Sequence, residues 1–200
     1  MTRHSKPRHT ADGQLRIIAG QWRGRKLAFP ALDGLRPTGD RIRETLFNWL
    51  QAELPGARCL DLFAGSGALG LEALSRGAAH CTFIDSQASA CQALKANLAK
   101  LSCTAAQVLQ TDAVTWLQQS AASLHSGQTP VQVVFCDPPF AKGLWAEAIE
   151  ALAASPLLAS DAWIYIETPK DEAVTVPVQW RLHRSKTAGT IRFQLFQVAG

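Results

Sequence analysis

The chain has 200 residues, 47% of them hydrophobic and 18% charged, which is enough for one domain with a sizeable core. No apolar run reaches the roughly 18 residues of a membrane span, and the basic start MTRHSKPRHT has no apolar segment behind it, so no signal peptide is expected and the cytoplasm is the expected location. The net charge of +4 conceals an asymmetry: residues 1–43 hold ten Lys and Arg against three Asp, a net of +7, while residues 44–200 hold ten against thirteen acids, a net of −3, a distribution that suits a polyanionic partner.

Residues 1–13 read as a disordered, solvated basic tail. QLRIIAGQWRGRKLAF (14–29) reads as two short strands around a Gly-rich turn, so 14–39 forms a hairpin and basic arm ahead of a main domain over 40–200. LRPTGD (35–40) is loop chemistry in which Thr38 or Asp40 can cap a helix starting near residue 40. Ile42, Leu46, Trp49 and Leu50 then share one helical face, and LPG at 54–56 ends it. Strands are predicted at 58–63, 80–85, 105–110, 131–136 and 162–167, with helices between them at 68–76, 87–101, 113–123 and 144–154. Such alternation with near-continuous apolar strands argues for a parallel sheet covered on both faces, an α/β fold of Rossmann-like class. WRLHRS and TIRFQLFQV are joined by KTAG, which leaves no room for a crossover helix. They predict an antiparallel hairpin at one edge of a seven-stranded, mostly parallel sheet.

Cys59, Cys81, Cys91, Cys103 and Cys136 are odd in number, widely spaced and free of any C-x-x-C pair, so they read as small buried hydrophobes. The five histidines show no ligand spacing, and no metal is expected.

DLFAGSGALG (61–70) places Gly65, Gly67 and Gly70 between the first main-domain strand and its helix. Glycine is used there because the backbone must turn tightly and admit a ligand without a Cβ in the way. Asp85 ends the second strand, where a carboxylate can accept from both hydroxyls of a ribose. These features suit any ribose-bearing cofactor and do not separate a nicotinamide or flavin enzyme from one using S-adenosylmethionine. Two acids favour the latter. Asp61, just before the loop, can accept from an α-ammonium group and would repel a pyrophosphate. Asp112 can accept from an adenine amine, or simply cap the next helix.

VQVVFCDPPF (131–140) ends a buried strand with an acid and two residues that cannot donate a backbone hydrogen bond. In a doubly wound sheet this strand neighbours the first, beside the glycine loop. Asp137 and the Pro138 carbonyl can accept both N–H groups of an exocyclic amine, while Phe140 offers a flat face to its ring. Catalysis would then rest on positioning and electrostatic pre-organisation.

An Asp-Pro-Pro-aromatic after the fourth strand, with D-x-F-x-G-x-G after the first, resembles the Rossmann-like amino-methyltransferases. LRIIAGQWRGRKLAFP, LRPTGDRIRETLFNWL, CLDLFAGSGALGLEALSRGA and VFCDPPF together resemble more closely the bacterial 16S ribosomal RNA guanine-N2 methyltransferases of the small-subunit type, over roughly residues 14 to 198. The resemblance implies S-adenosylmethionine as methyl donor, S-adenosylhomocysteine as product and a guanine N2 amine of 16S rRNA as acceptor, in a 30S subunit or an assembly intermediate. By the same resemblance Asp137, Pro138, Pro139 and Phe140 would form the catalytic tetrapeptide, with phenylalanine where the wider superfamily often has tyrosine. The candidate cofactor residues are Asp61, Phe63, Gly65, Gly67, Asp85, Ser86, Asp112, Ala113 and Thr38. RPTGDRIRE would line the cofactor entrance in the family, whereas its own pattern gives only an amphipathic helix with a basic rim. The candidate RNA contacts are Arg16, Arg23, Arg25, Lys26, Arg36, Arg41 and Lys142, and a monomer is expected. The competing functions are an adenine-N6 methyltransferase using the same tetrapeptide, a nicotinamide oxidoreductase using the glycine loop, and a non-catalytic RNA-binding module using the arm alone.

Overall fold

In the computed structural model, residues 13–30, 39–122 and 129–199 are described. Two short strands, β1 (Gly13–Arg16) and β2 (Lys26–Phe29), pair antiparallel with Leu15 opposite Leu27. The main domain follows as α1 (Asp40–Trp49), β3 (Arg58–Asp61), α2 (Ala68–Ser75), β4 (His80–Asp85), α3 (Ala88–Lys100), β5 (Ala106–Gln110), α4 (Ala113–Ala122), β6 (Val131–Cys136), α5 (Trp145–Ala154), β7 (Leu158–Pro169), β8 (Trp180–Ala188) and β9 (Ile191–Val198). None of the described helices is long and apolar enough to cross a membrane.

The seven main strands run in the order β5-β4-β3-β6-β7-β9-β8. The first five are mutually parallel, and β9 pairs antiparallel with both β7 and β8, which puts the expected hairpin at the edge. Period-two alternation divides the strand side chains between two cores. Cys59, Cys81, Phe83, Val133, Phe135 and Tyr165 pack on one face with α1, α2, α3 and the β1–β2 hairpin. Leu60, Ile84, Val134, Cys136, Ile164 and Ile166 pack on the other with α4 and α5. Strand order reverses between β3 and β6, and at that switch point a doubly wound sheet opens a crevice for ligands.

Two local expectations need correcting. Asp40 does not cap α1: the cap is Gly39, with no side-chain hydrogen bond. Asp40 is instead the first helical residue, where its carboxylate meets Arg43 Nη2 at 2.7 Å and the helix dipole. Thr38 lies outside the described residues. Strand β7 is also longer than its apolar run, because Leu158–Asp161 joins it beyond an irregularity in the β6–β7 register.

The hairpin is fused to the main domain. Leu15, Ile17, Leu27 and Phe29 are buried in the core shared with α1–α3, and Asn97 on α3 donates to the Ala28 carbonyl at 2.9 Å. Glu72, fully buried on α2, is the principal fastening. Its carboxylate accepts from the backbone amides of Ile18 (2.8 Å) and Ala19 (3.0 Å) and from Arg76 Nε (2.8 Å), and lies 3.5 Å from Arg43 Nη1 on α1. Arg43, only 1% exposed, also donates to the Arg16 carbonyl at 2.9 Å. One buried acid thus ties together the hairpin, α1 and α2.

Candidate active site

Four acids stand at or near the carboxyl ends of four adjacent strands: Asp85 on β4, Asp61 on β3, Asp137 after β6 and Glu167 within β7. Each continues the alternation of the side chain two residues before it, respectively Phe83, Cys59, Phe135 and Tyr165. All four line a cavity of about 790 Å³ at the carboxyl end of the sheet, with Asp112, the start of α1 and the β8–β9 turn completing the wall. Among the described residues no acids, cysteines or histidines are grouped to hold a metal ion.

The glycine loop turns two of the amides at its ends toward carboxylates. Gly65 and Gly67 have φ of 51° and 77°, the left-handed region that glycine enters without cost. Gly67 caps α2, yet it does not line the cavity; a Cβ on it would lie 2.3 Å from Leu94 Cδ2, so its smallness serves the packing of α2 on α3. Gly70 likewise lets α2 close on β4, since a Cβ there would stand 2.3 Å from Phe83. In a dinucleotide fold the amides of this loop and helix start receive a pyrophosphate. Here the Gly70 amide donates to Asp61 Oδ2 at 3.0 Å and the Gly65 amide to Asp85 Oδ2 at 2.8 Å. Both donors are spent on carboxylates, and the wall they build is acidic. That charge favours a cationic group over a polyphosphate.

Asp61 is strongly perturbed. Burial raises its carboxyl from 3.8 to about 7, the Gly70 hydrogen bond opposing the rise and the charge of Asp85 adding to it. Asp85 Oδ1 accepts from the Gln87 amide at 2.8 Å, so each oxygen holds one loop and keeps capacity for a further donor. Asp112 serves as the helix cap, its Oδ1 accepting from Thr115 at 2.9 Å, and it also lines the cavity.

After β6 the chain turns through Pro138, buried, and Pro139, exposed, into a single 3-10 turn, Phe140–Lys142. The Pro139 carbonyl is taken by the Lys142 amide at 2.9 Å, whereas the Pro138 carbonyl accepts no hydrogen bond from the described residues. Phe140, 38% exposed, rests against Trp145 with ring centroids 5.6 Å apart, and Trp145 is anchored by its indole N–H to the Glu167 carbonyl at 2.8 Å. The aromatic face is braced from behind and open to the cavity.

The sequence matches the family described as "Conserved hypothetical protein 95" over residues 15–197. It is 50% identical over 193 residues to the ribosomal RNA small subunit methyltransferase D of Escherichia coli K12, covering 96% of this chain and 94% of that protein. The protein of the same name from Haemophilus influenzae is 44% identical, covering 94% and 95% of the two chains. The chain belongs to the ribosomal RNA small subunit methyltransferase D family. The solved structure of the yhhF protein of Escherichia coli superposes with a TM-score of 0.84 at 46% identity, covering 94% of this chain and 99% of that one.

Within this methyltransferase fold the structure gathers most of the residues singled out in the sequence. Asp61, Phe63, Gly65, Asp85, Ser86, Asp112 and Ala113 share one cavity with Asp137, Pro138, Pro139 and Phe140. Arg41 and Lys142 stand at the same cavity. Arg16, Arg23, Arg25 and Lys26 do not: they are exposed on the hairpin, where Arg25 Nη2 donates to the Lys100 carbonyl at 3.2 Å. Arg36 lies outside the described residues. Glu167 and the β8–β9 turn residues Ala188, Thr190 and Ile191 were missed by sequence reasoning. The only signal for Glu167 was an acid closing an apolar strand, as Asp61, Asp85 and Asp137 also do.

Proposed function

We propose that the protein transfers a methyl group from S-adenosylmethionine to the exocyclic N2 of a guanine in 16S rRNA. One observation carries this reading: an unclaimed Pro138 carbonyl, Asp137 and a braced Phe140 stand in the same cavity as an acidic loop whose Gly65 and Gly70 amides already donate to carboxylates. S-adenosylmethionine supplies an electrophilic methyl on a sulfonium. Asp61 and the Gly65 loop hold its amino-acid end, Asp85 its ribose, and Phe63, Ser86, Asp112 and Ala113 its adenine. Asp137 and the Pro138 carbonyl accept the two N–H groups of the target amine, which draws the nitrogen lone pair out of conjugation, while Phe140 stacks on the base. Asp137 then takes the proton the alkylated amine gives up. The base must leave its stack to enter, so a flipped or single-stranded guanine is the form bound. The shape of a 30S particle or assembly intermediate supplies the choice of site. A monomer acting in the cytoplasm suffices for that task.

The test is incubation of the protein and labelled methyl donor with 16S rRNA, 30S particles or DNA, followed by nucleoside mapping. N2-methylguanosine in 16S rRNA is expected. Label on adenine N6, or none on RNA, overturns the reading.

The raised carboxyl of Asp61 gives this site a pH dependence. A group whose folded value lies above its unfolded value contributes most to stability below about pH 3.8, and the contribution is lost as pH rises through about 7. An ammonium group bound beside it needs the ionised form, so binding below pH 7 must release a proton. Affinity for S-adenosylhomocysteine is expected to tighten about tenfold per unit between about pH 5.5 and 7 and then level off. Calorimetry in buffers of different ionisation heat measures the released proton, and Asp61→Asn should abolish both effects.

The hairpin cations are assigned to RNA phosphate. Replacing Arg23, Arg25 and Lys26 by Ala should lessen the salt dependence of RNA binding by about 0.7 to 0.9 log–log units per lost contact. An unchanged slope removes the arm from the interface.

A further inference from the structure

The strand at the sheet edge carries charge that the chemistry above leaves unused. Residues 179–192 hold Arg181, Arg184, Lys186 and Arg192 and no acid, four of the ten cations of residues 44–200, whose net charge is −3. From Arg181 to Thr187 every residue of β8 is exposed, and β9 is the one strand beside it in the sheet. Among the described residues none of these cations pairs with an acid.

Simple alternation would scatter them. Arg181 and Arg184 are three residues apart, so a regular strand would send them to opposite faces. The β8–β9 register shifts between Leu182 and Arg184, leaving His183 as the extra residue of a bulge. Arg181, Arg184 and Lys186 therefore stand opposite Gln197, Leu195 and Phe193, alternate residues on one face of β9. Leu195 and Phe193 belong to the core under α1, and Trp49 of α1 stacks on Phe193 with ring centroids 5.3 Å apart. Ala188 comes next on that face, opposite Ile191, and both line the cavity. The bulge thus turns three cations into one file that ends at the cavity wall. Steps of two residues place them about 7, 13 and 20 Å from Ala188, a spacing close to that of successive phosphates along a nucleic-acid strand. A charged edge also discourages strand-to-strand association, but that purpose needs no common face and is served by charges of either sign. A file of one sign that leads to the site fits a polyanion.

We propose that Arg181, Arg184 and Lys186 form a phosphate track that holds the RNA backbone flanking the target base and leads it from the β8 edge to the cavity. The inference rests on the RNA methyl-transfer reading and adds the path of the substrate strand. The track is distinct from the cations of the β1–β2 hairpin, which belong to the separate two-stranded sheet.

The test measures binding to 16S rRNA and to 30S particles across a salt series for the triple variant Arg181→Gln, Arg184→Gln, Lys186→Gln. The log–log salt slope should lessen by about 2 to 3 units on both, at about 0.7 to 0.9 for each lost contact. KM for the RNA substrate should rise about tenfold or more. Saturated kcat and S-adenosylhomocysteine affinity should stay within about threefold of wild type, because the track binds ground and transition states alike. Arg192, opposite Thr187, lies on the other face, so Arg192→Gln removes a charge without touching the track and should leave the slope unchanged. A wild-type slope in the triple variant overturns the proposal. So does a loss in Arg192→Gln equal to the average for one track residue, which would mark a general effect of net charge. Loss of 30S binding with 16S rRNA binding intact would assign the file to an acidic protein surface and also overturn it. Should the triple variant self-associate through its bared edge, the corresponding Glu variant keeps the edge charged and carries the test: its RNA affinity must fall further, and wild-type affinity overturns the proposal. Failure of the wild-type protein to bind or methylate RNA would instead refute the underlying reading.

Discussion

Glu72→Ala is expected to destabilise the protein by about 3 to 5 kcal/mol, the cost of removing one partner from a buried charge pair. The side chain it deletes is 0% exposed and meets four donors: two hairpin amides, Arg76 and Arg43. Arg43 would stay at 1% exposure with Asp40, itself largely exposed, as its remaining acidic partner. Its Nε already has no hydrogen-bond partner. For a domain of this size the loss corresponds to a fall in melting temperature of about 6 to 20 °C, measurable by calorimetry or circular dichroism. It is a large part of the 5–15 kcal/mol margin typical of native proteins. A double variant, Glu72→Met with Arg43→Leu, should recover part of the loss, since apolar packing often replaces a buried ion pair without penalty. A melting temperature unchanged in Glu72→Ala would show that the hairpin is held by its apolar contacts alone. The effect should reach the active site too, because Gly39–Ile42, at the start of the helix that Arg43 anchors, line the cavity.

Asp137→Ala acts on rate with little effect on stability. The residue ends a strand at a half-buried position of the cavity wall, and its proposed work is done only when the amine is being alkylated. Removing one pre-organised partner of this kind lowers kcat by about 10²- to 10³-fold. Cofactor affinity should stay within about threefold of wild type, the pattern of a lost transition-state interaction. Single-turnover methyl transfer with enzyme in excess, beside calorimetric binding of S-adenosylhomocysteine, separates the two quantities. Wild-type rates would remove Asp137 from the chemistry. A large loss of cofactor affinity would move it into the cofactor site. Asp137→Asn should fall between, since it keeps one acceptor oxygen but cannot take up the amine's proton.

These two residues illustrate opposite degrees of legibility. Asp137 could be read directly, because an acid and two prolines closing an apolar strand is a local anomaly and local anomalies survive in one dimension. Glu72 could not. It is the lone acid of an eight-residue helix, ALGLEALS, that is buried throughout; helical periodicity gives it no special place, and three of its four partners lie 53, 54 and 29 residues away. The glycine loop is intermediate: its turn was evident from Gly65 and Gly67, but its ligand was not. What its Gly65 and Gly70 amides meet depends on acceptors that come from β4 and β3.

The sequence by itself determined the alternation of strands and helices, the edge hairpin, the acids at the strand ends and the Asp-Pro-Pro-Phe turn, because all of these follow from side-chain periodicity and backbone restrictions within a few residues. Only the tertiary structure decided that the N-terminal hairpin is part of the main core, that the Gly65 and Gly70 amides meet carboxylates, and that Glu167 joins Asp137 in the cavity wall. Each of those depends on strand order and register, and contacts between distant segments are set by how the layers pack.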